Sequence, residues 1–173
     1  MSPLTPASSK KQPAPPRAAT DPRFDWRKIA YHTLVSRAMD DAEEATNRNR
    51  TSVPKDHLVL YQFSARGHDV AQAILGSLVT HPHDGVSAYY RSRPMLLSEG
   101  PPIETTGGSP LGRAGGFSDG RDIGVVCNFP NSGGPIVLPM SGDVGSQYTP
   151  AAGWAQSITY YRDVLRDDAY RGA

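Results

Sequence analysis

Between Leu138 and Gln156 the chain reads LPMSGDVGSQYTPAAGWAQ. An apolar run stops at Met140, a turn of small and polar residues follows, and Thr149-Pro150 signals a helix. A small-residue turn between strand and helix lets backbone approach a ligand closely, and strands separated by helices along the chain imply an α/β fold. The rest of the chain has to supply the other strands and the helices that cover them.

Helical periodicity appears three times. Asp25 is a plausible N-cap, and Tyr31, Leu34, Val35, Ala38, Met39 and Ala42 fall on one helical face. The acids Asp40, Asp41, Glu43 and Glu44 read as the solvated side of that helix. A second helix is expected from about Asp69 to Val79, with Ala71, Ile74, Leu75 and Leu78 on its apolar side. Gly76 inside it costs about 1 kcal/mol relative to alanine, which suggests close packing at that point. The third helix begins at Pro150 and aligns Ala151, Trp154, Ala155 and Ile158. Strands are expected up to about Tyr90, at 123–129 and at 135–140. Residues 99–122, with seven glycines and three prolines, read as a long mobile loop.

Composition narrows the function. A chain of 173 residues fits one domain, and a net charge of +1 argues against recognition of nucleic acid through a basic surface. No apolar run is long enough to span a membrane, so a cytoplasmic protein without a membrane partner is expected. The single cysteine, Cys127 in GVVCNF, excludes an internal disulfide and reads as a core thiol. Residues 1–22 contain six prolines and no acid before Asp21, a composition expected to form a disordered tail.

Three constellations carry candidate chemistry. His81-Pro82-His83-Asp84, with His68 in reserve, has metal-ligand residue types, but a proline-held spacing of two splays the rings, and a solvated turn is the simpler reading. No G-x-S-x-G or G-x-G-x-x-G occurs, which leaves serine-hydrolase and dinucleotide readings without support. Tyr90-Arg91, with Arg93 two residues on, offers a guanidinium fork and a phenol at a strand end, a suitable clamp for phosphate.

Taken in order, YQFSARGHDVAQAILGSLVTHPHDGVSAYYRSRP, GRAGGFSDGRD and LPMSGDVGSQYTPAAGWAQ resemble the thiamine-diphosphate-dependent 2-oxo acid dehydrogenases. The resemblance is to the alpha subunit, or alpha half, of the decarboxylating first component, and within it to the branched-chain type. It runs from about Phe24 to the end of the chain. It implies that Tyr90 and Arg91 bind the cofactor diphosphate, that Val144 props the cofactor in its bent form, and that Gly142 lies near the aminopyrimidine. Ser141, Ser146 and Gln147 match positions that surround a structural potassium ion in branched-chain relatives. Two departures stand out: Asp143 replaces a common proline, and Phe117-Ser118 occupy the neighbourhood of an active-site histidine.

The resemblance further implies magnesium as a second cofactor, on a motif expected beyond Ala173, so the chain is expected to be the N-terminal fragment of an incomplete thiamine-diphosphate-binding fold. A beta subunit or fused beta half would supply the activating glutamate, and a lipoyl-bearing transacylase would accept the acyl group. The implied substrate is a 2-oxo acid, branched-chain in type. Two alternatives stay open: a truncated, non-catalytic assembly module of the same family, and a metal-dependent hydrolase using His68, His81, His83 and Asp84.

Overall fold

The computed structural model describes residues 23–59, 61–121 and 134–173. The proline-rich tail, the strand expected at 123–129 and Cys127 lie outside the described residues. Within them the architecture is a set of helices around a small parallel sheet, which places the chain broadly in the α/β class.

Helix α1 spans Trp26–Arg48, and Asp25 caps it by accepting from the backbone N–H groups of Arg27 and Lys28 at 3.0 and 3.1 Å. Helix α2 spans Asp69–Leu78 and is followed by β1, Gly85–Val86. Two six-residue helices come next, α3 at Arg93–Ser98 and α4 at Ile103–Gly108. The segment read as a long loop therefore contains a helix, and its Thr106 and Ser109 are buried. Strand β2, Ile136–Val137, pairs with β1, and α5 spans Tyr148–Thr159 before a π-helical turn at Tyr160–Val164.

The core forms where α3 lies over the sheet. Val86, Ala88, Leu96 and Val137 are buried together, with Val79, Met95, Phe117 and Met140 packed around them. Helix α2 approaches α3 through Gly76, where an added Cβ would stand 2.5 Å from Ser98 Cβ and 3.0 Å from Met95 O. The glycine thus marks the close packing expected of it. Helix α5 docks differently: the Trp154 ring lies on Gly85 and its Nε1 donates to His83 O at 2.8 Å.

The inward face of α1 is the reverse of the one expected. Tyr31 and Leu34 are exposed, whereas Ile29, His32, Thr33, Ser36, Asp40 and Glu43 are buried. Asp40 and Glu43 therefore do not belong to a solvated face. The reason is a long-range ion pair: Arg93 of α3, 1 % exposed, donates Nη1 to Asp40 Oδ1 at 2.6 Å and Nη2 to Glu43 Oε1. The pairing turns the polar face inward, while Asp41 and Glu44 stay outside with Arg66 and Arg48. In α2 the small residues Ala73 and Gly76 make the buried contact, and Leu75 and Leu78 face outward.

Where α1 meets the end of α3, Ser98 Oγ lies 3.1 Å from His32 Nδ1, and the adjacent Glu99 is buried. Burial lowers the His32 pKa, with Lys28 adding to the effect, and raises that of Glu99 to about 7. An unfolded Glu99 titrates near 4.5. Between those two values the fold retains a proton that the unfolded chain has released, so stability falls as pH rises through this window and levels off above it. Glu99→Gln is expected to match the wild type near pH 4 and to exceed its stability at pH 8 by about 2 kcal/mol, allowing for residual solvation. Urea denaturation at the two pH values checks this.

Candidate functional site at the carboxyl ends of the strands

Strands β1 and β2 run parallel with Gly85 opposite Ile136 and Val86 opposite Val137. Their ladder is closed by Ile136 N donating to Asp84 O at 2.9 Å and Leu138 N donating to Val86 O at 2.8 Å. Tyr90 comes four residues after Val86, and Ser141 four residues after Val137. The Tyr-Arg pair and the small-residue turn thus leave the sheet at the same edge, from neighbouring strands. In open parallel sheets this carboxyl edge is where ligands bind.

The Tyr-Arg pair is held from below by aromatic packing. The Tyr90 ring centroid lies 4.2 Å from that of Phe63 and 3.7 Å from that of Tyr89. The Arg91 guanidinium stands 5.4 Å from both the Phe63 and the Tyr90 centroids, and its Nη1 donates to Ser64 O at 3.0 Å. The segment carrying Phe63 is tied to α1 by Asp40. Its Oδ2 accepts from Ser64 Oγ at 2.7 Å and from Ala65 N at 3.2 Å, and its backbone O accepts from Gln62 Nε2 at 2.8 Å. Arg91 is only half-buried, so its charge remains accessible. Arg93 is not part of a phosphate clamp, because its guanidinium is committed to Asp40 and Glu43.

The turn after β2 closes on itself. Asp143 N donates to Ser141 Oγ at 3.2 Å, Ser146 Oγ donates to Asp143 O at 2.8 Å, and Gln147 Nε2 donates to Ser141 O at 2.8 Å. Gly145 has φ +92°, a conformation that favours glycine. Val144 stands at the tip, 82 % exposed, and a Cβ at Gly142 would meet nothing within 4 Å. The turn is therefore open to an incoming group, with an apolar residue projecting from it.

A half-buried guanidinium on aromatic faces has the donor chemistry to hold a diphosphate. The hydroxyls of Ser141 and Ser146, which could hold potassium, also make the turn's own hydrogen bonds, and Gln147 is tied to the turn through its Nε2. For magnesium, no group of three or more His, Cys, Asp or Glu suited to a metal ion occurs among the described residues.

The histidine-rich segment has structural partners. Asp84 Oδ2 accepts from Thr80 N and His81 N, both at 2.9 Å, and His81 Nδ1 accepts from His83 N at 3.1 Å. The His83 ring stacks on Tyr170 with centroids 4.0 Å apart. His68 stands at the N-terminus of α2 without a side-chain cap, and Asp69 pairs with Arg37, which lowers its pKa. Of the glycine-rich segment, Phe117 packs against the core and Ser118 is buried. The buried Arg93, Asp40 and Glu43 were not legible as a unit, although Asp40 and Glu43 lie three apart on one helix, the spacing that a single guanidinium can bridge.

A separate apolar groove of about 440 Å³ lies between α2, α5 and the sheet, lined by Leu75, Leu78, Val86, Met95, Trp154 and Ile158 among others. It does not include Tyr90, Arg91, Gly142 or Val144. No protein-family model, curated protein or solved structure matches the chain. No described helix is long and apolar enough to cross a membrane.

Proposed function

We propose that the chain forms part of a thiamine-diphosphate-dependent 2-oxo acid dehydrogenase, contributing the diphosphate clamp and one wall of the cofactor site. The supporting observation is the shared carboxyl edge, from which Tyr90-Arg91 and the Ser141–Gln147 turn emerge on adjacent parallel strands. When bound, the cofactor supplies the nucleophilic carbon and the electron sink for decarboxylating a 2-oxo acid, branched-chain in type by the sequence resemblance.

The protein's part is binding and orientation. Arg91 donates charge-assisted hydrogen bonds to the diphosphate, with its ring-stacked guanidinium already ordered. Tyr90 adds a phenol, Val144 offers an apolar prop, and Gly142 leaves room for the pyrimidine. Magnesium and the activating carboxylate come from outside the described residues under this reading, the latter from a beta partner. Ser141, Ser146 and Gln147 would order the turn around potassium, and the acyl product would pass to a lipoyl-bearing transacylase.

Arg91→Ala is expected to weaken binding of magnesium thiamine diphosphate at least tenfold, since a charge-assisted hydrogen bond is worth about 1.5–3 kcal/mol. Calorimetric titration of both proteins checks it, and equal affinity would overturn the proposed clamp. The exposed Tyr31, Leu34, Leu75 and Leu78 favour a second reading, a non-catalytic assembly module that buries these faces against a partner.

A further inference from the structure

Strand β1 pairs with β2 along one edge, and among the described residues no strand covers the other. On the paired edge Asp84 O and Val86 O accept from Ile136 N and Leu138 N. Successive residues of a strand direct their backbone groups to opposite edges, so the N–H and C=O of Gly85 and Ser87 point away from β2. Neither residue makes a backbone hydrogen bond on that side to any described residue, and both are only half-buried. The carbonyl that precedes them on the same side, His83 O, is already engaged. Trp154 Nε1 donates to it at 2.8 Å, in the place that a neighbouring strand's N–H would fill.

This open edge runs along the apolar groove between α2 and α5, whose lining includes Gly85, Val86 and Ser87. Leu75 and Leu78 of α2 line it from one side, and Ala155 and Ile158 of α5 from the other. Both leucines are exposed, and no residue of α5 is buried although its apolar face is turned to the groove. Asp84, the one charged residue of the lining, has its Oδ2 occupied by Thr80 N and His81 N. An occupant therefore has to satisfy backbone groups along β1 and cover apolar walls at the same time. A small apolar molecule covers the walls but leaves Gly85 and Ser87 unpaired, and a helix has its own backbone groups already engaged. An extended polypeptide segment meets both needs.

We infer that this groove is a docking site for an extended apolar segment of a partner protein, which adds to β1 as a further strand on the side opposite β2. Gly85 meets Trp154 of α5 on one face of the sheet, and Val86 packs with Leu96 of α3 on the other. The added strand is thus buried on both faces, which calls for a continuous run of residues such as valine and leucine and not an alternating one. Its backbone pairs with Gly85 and Ser87, and its side chains fill the space beside Leu75, Leu78 and Ile158. The site is separate from Tyr90, Arg91 and Val144 and does not rest on the cofactor reading.

The test is amide hydrogen exchange, read by NMR on the full chain, with the peptide acetyl-Lys-Val-Leu-Val-Val-Lys-amide. The peptide is N-methylated along one edge so that it cannot stack into sheets of its own. Its other edge is expected to bind saturably and to slow exchange of the Gly85 and Ser87 amides at least tenfold. The same peptide N-methylated along both edges keeps every side chain but lacks the backbone donors, and is expected to bind at least tenfold more weakly. Leu78→Lys, at an exposed position on the groove wall, is expected to weaken binding to a similar extent. Ser87→Pro, which removes an edge donor that β2 does not use, is expected to abolish it. Equal binding of the two peptides, or binding of neither, would overturn the strand site. So would sedimentation of the full chain as a dimer that Leu78→Lys dissolves, which would assign the edge to a second copy.

Discussion

Replacing Arg93 with methionine is expected to destabilise the chain by about 3–5 kcal/mol, enough to unfold a typical domain at modest urea concentration. Methionine fills much of the same volume but leaves Asp40 and Glu43 facing each other, buried and without the guanidinium that joins them. The effect should spread to the candidate site, because Asp40 also anchors Ser64 and Ala65, and Ser64 O receives Arg91. A triple variant, Arg93→Met with Asp40→Asn and Glu43→Gln, removes the stranded charges and is expected to recover more than half of the loss. Urea denaturation followed by circular dichroism measures both. An Arg93→Met protein within 1 kcal/mol of the wild type (roughly the worth of an exposed pair) would mean that the cluster is solvated after all.

The second large effect is expected at Gly76. An alanine there would ordinarily strengthen a helix by about 1 kcal/mol. Here its Cβ would lie 2.5 Å from Ser98 Cβ and 3.0 Å from a backbone oxygen of α3, so the two helices must separate. The net cost is expected to be about 2 kcal/mol, the usual scale of overpacking. Ser98→Gly removes the Cβ on the other side. The double variant is therefore expected to be more stable than the sum of the two single effects predicts, a coupling that a double-mutant cycle reads directly. Simple additivity would show that α2 and α3 do not meet through this pair.

Local signals in the sequence carried the elements that are long or sharply punctuated. Asp25 reads as a cap and acts as one; α2 begins at Asp69 as expected; Gly76 marks close packing; the helix expected from Pro150 begins two residues earlier, at Tyr148. The short helices α3 and α4 did not show, because six residues contain less than two turns of periodicity. The buried side of α1 was also illegible. Which face a helix turns inward depended on Arg93, some fifty residues away, and a charged face is normally read as solvated.

The candidate site divides in the same way. Tyr90, Arg91, Gly142 and Val144 drew attention through local composition, a fork at a strand end and a turn of small residues. Their common edge depends on the parallel register of β1 and β2, a long-range feature with no local signal. Arg93 was grouped with Arg91 by proximity in sequence, yet one guanidinium remains accessible while the other is sealed in the core.

The most direct test of the cofactor reading is a calorimetric titration of the chain with thiamine diphosphate and, in parallel, with thiamine, both with magnesium present. The predicted result is saturable binding of thiamine diphosphate and at least tenfold weaker binding of thiamine, because Arg91 and Tyr90 recognise the diphosphate. Binding of neither compound, or equal binding of both, would contradict the proposal.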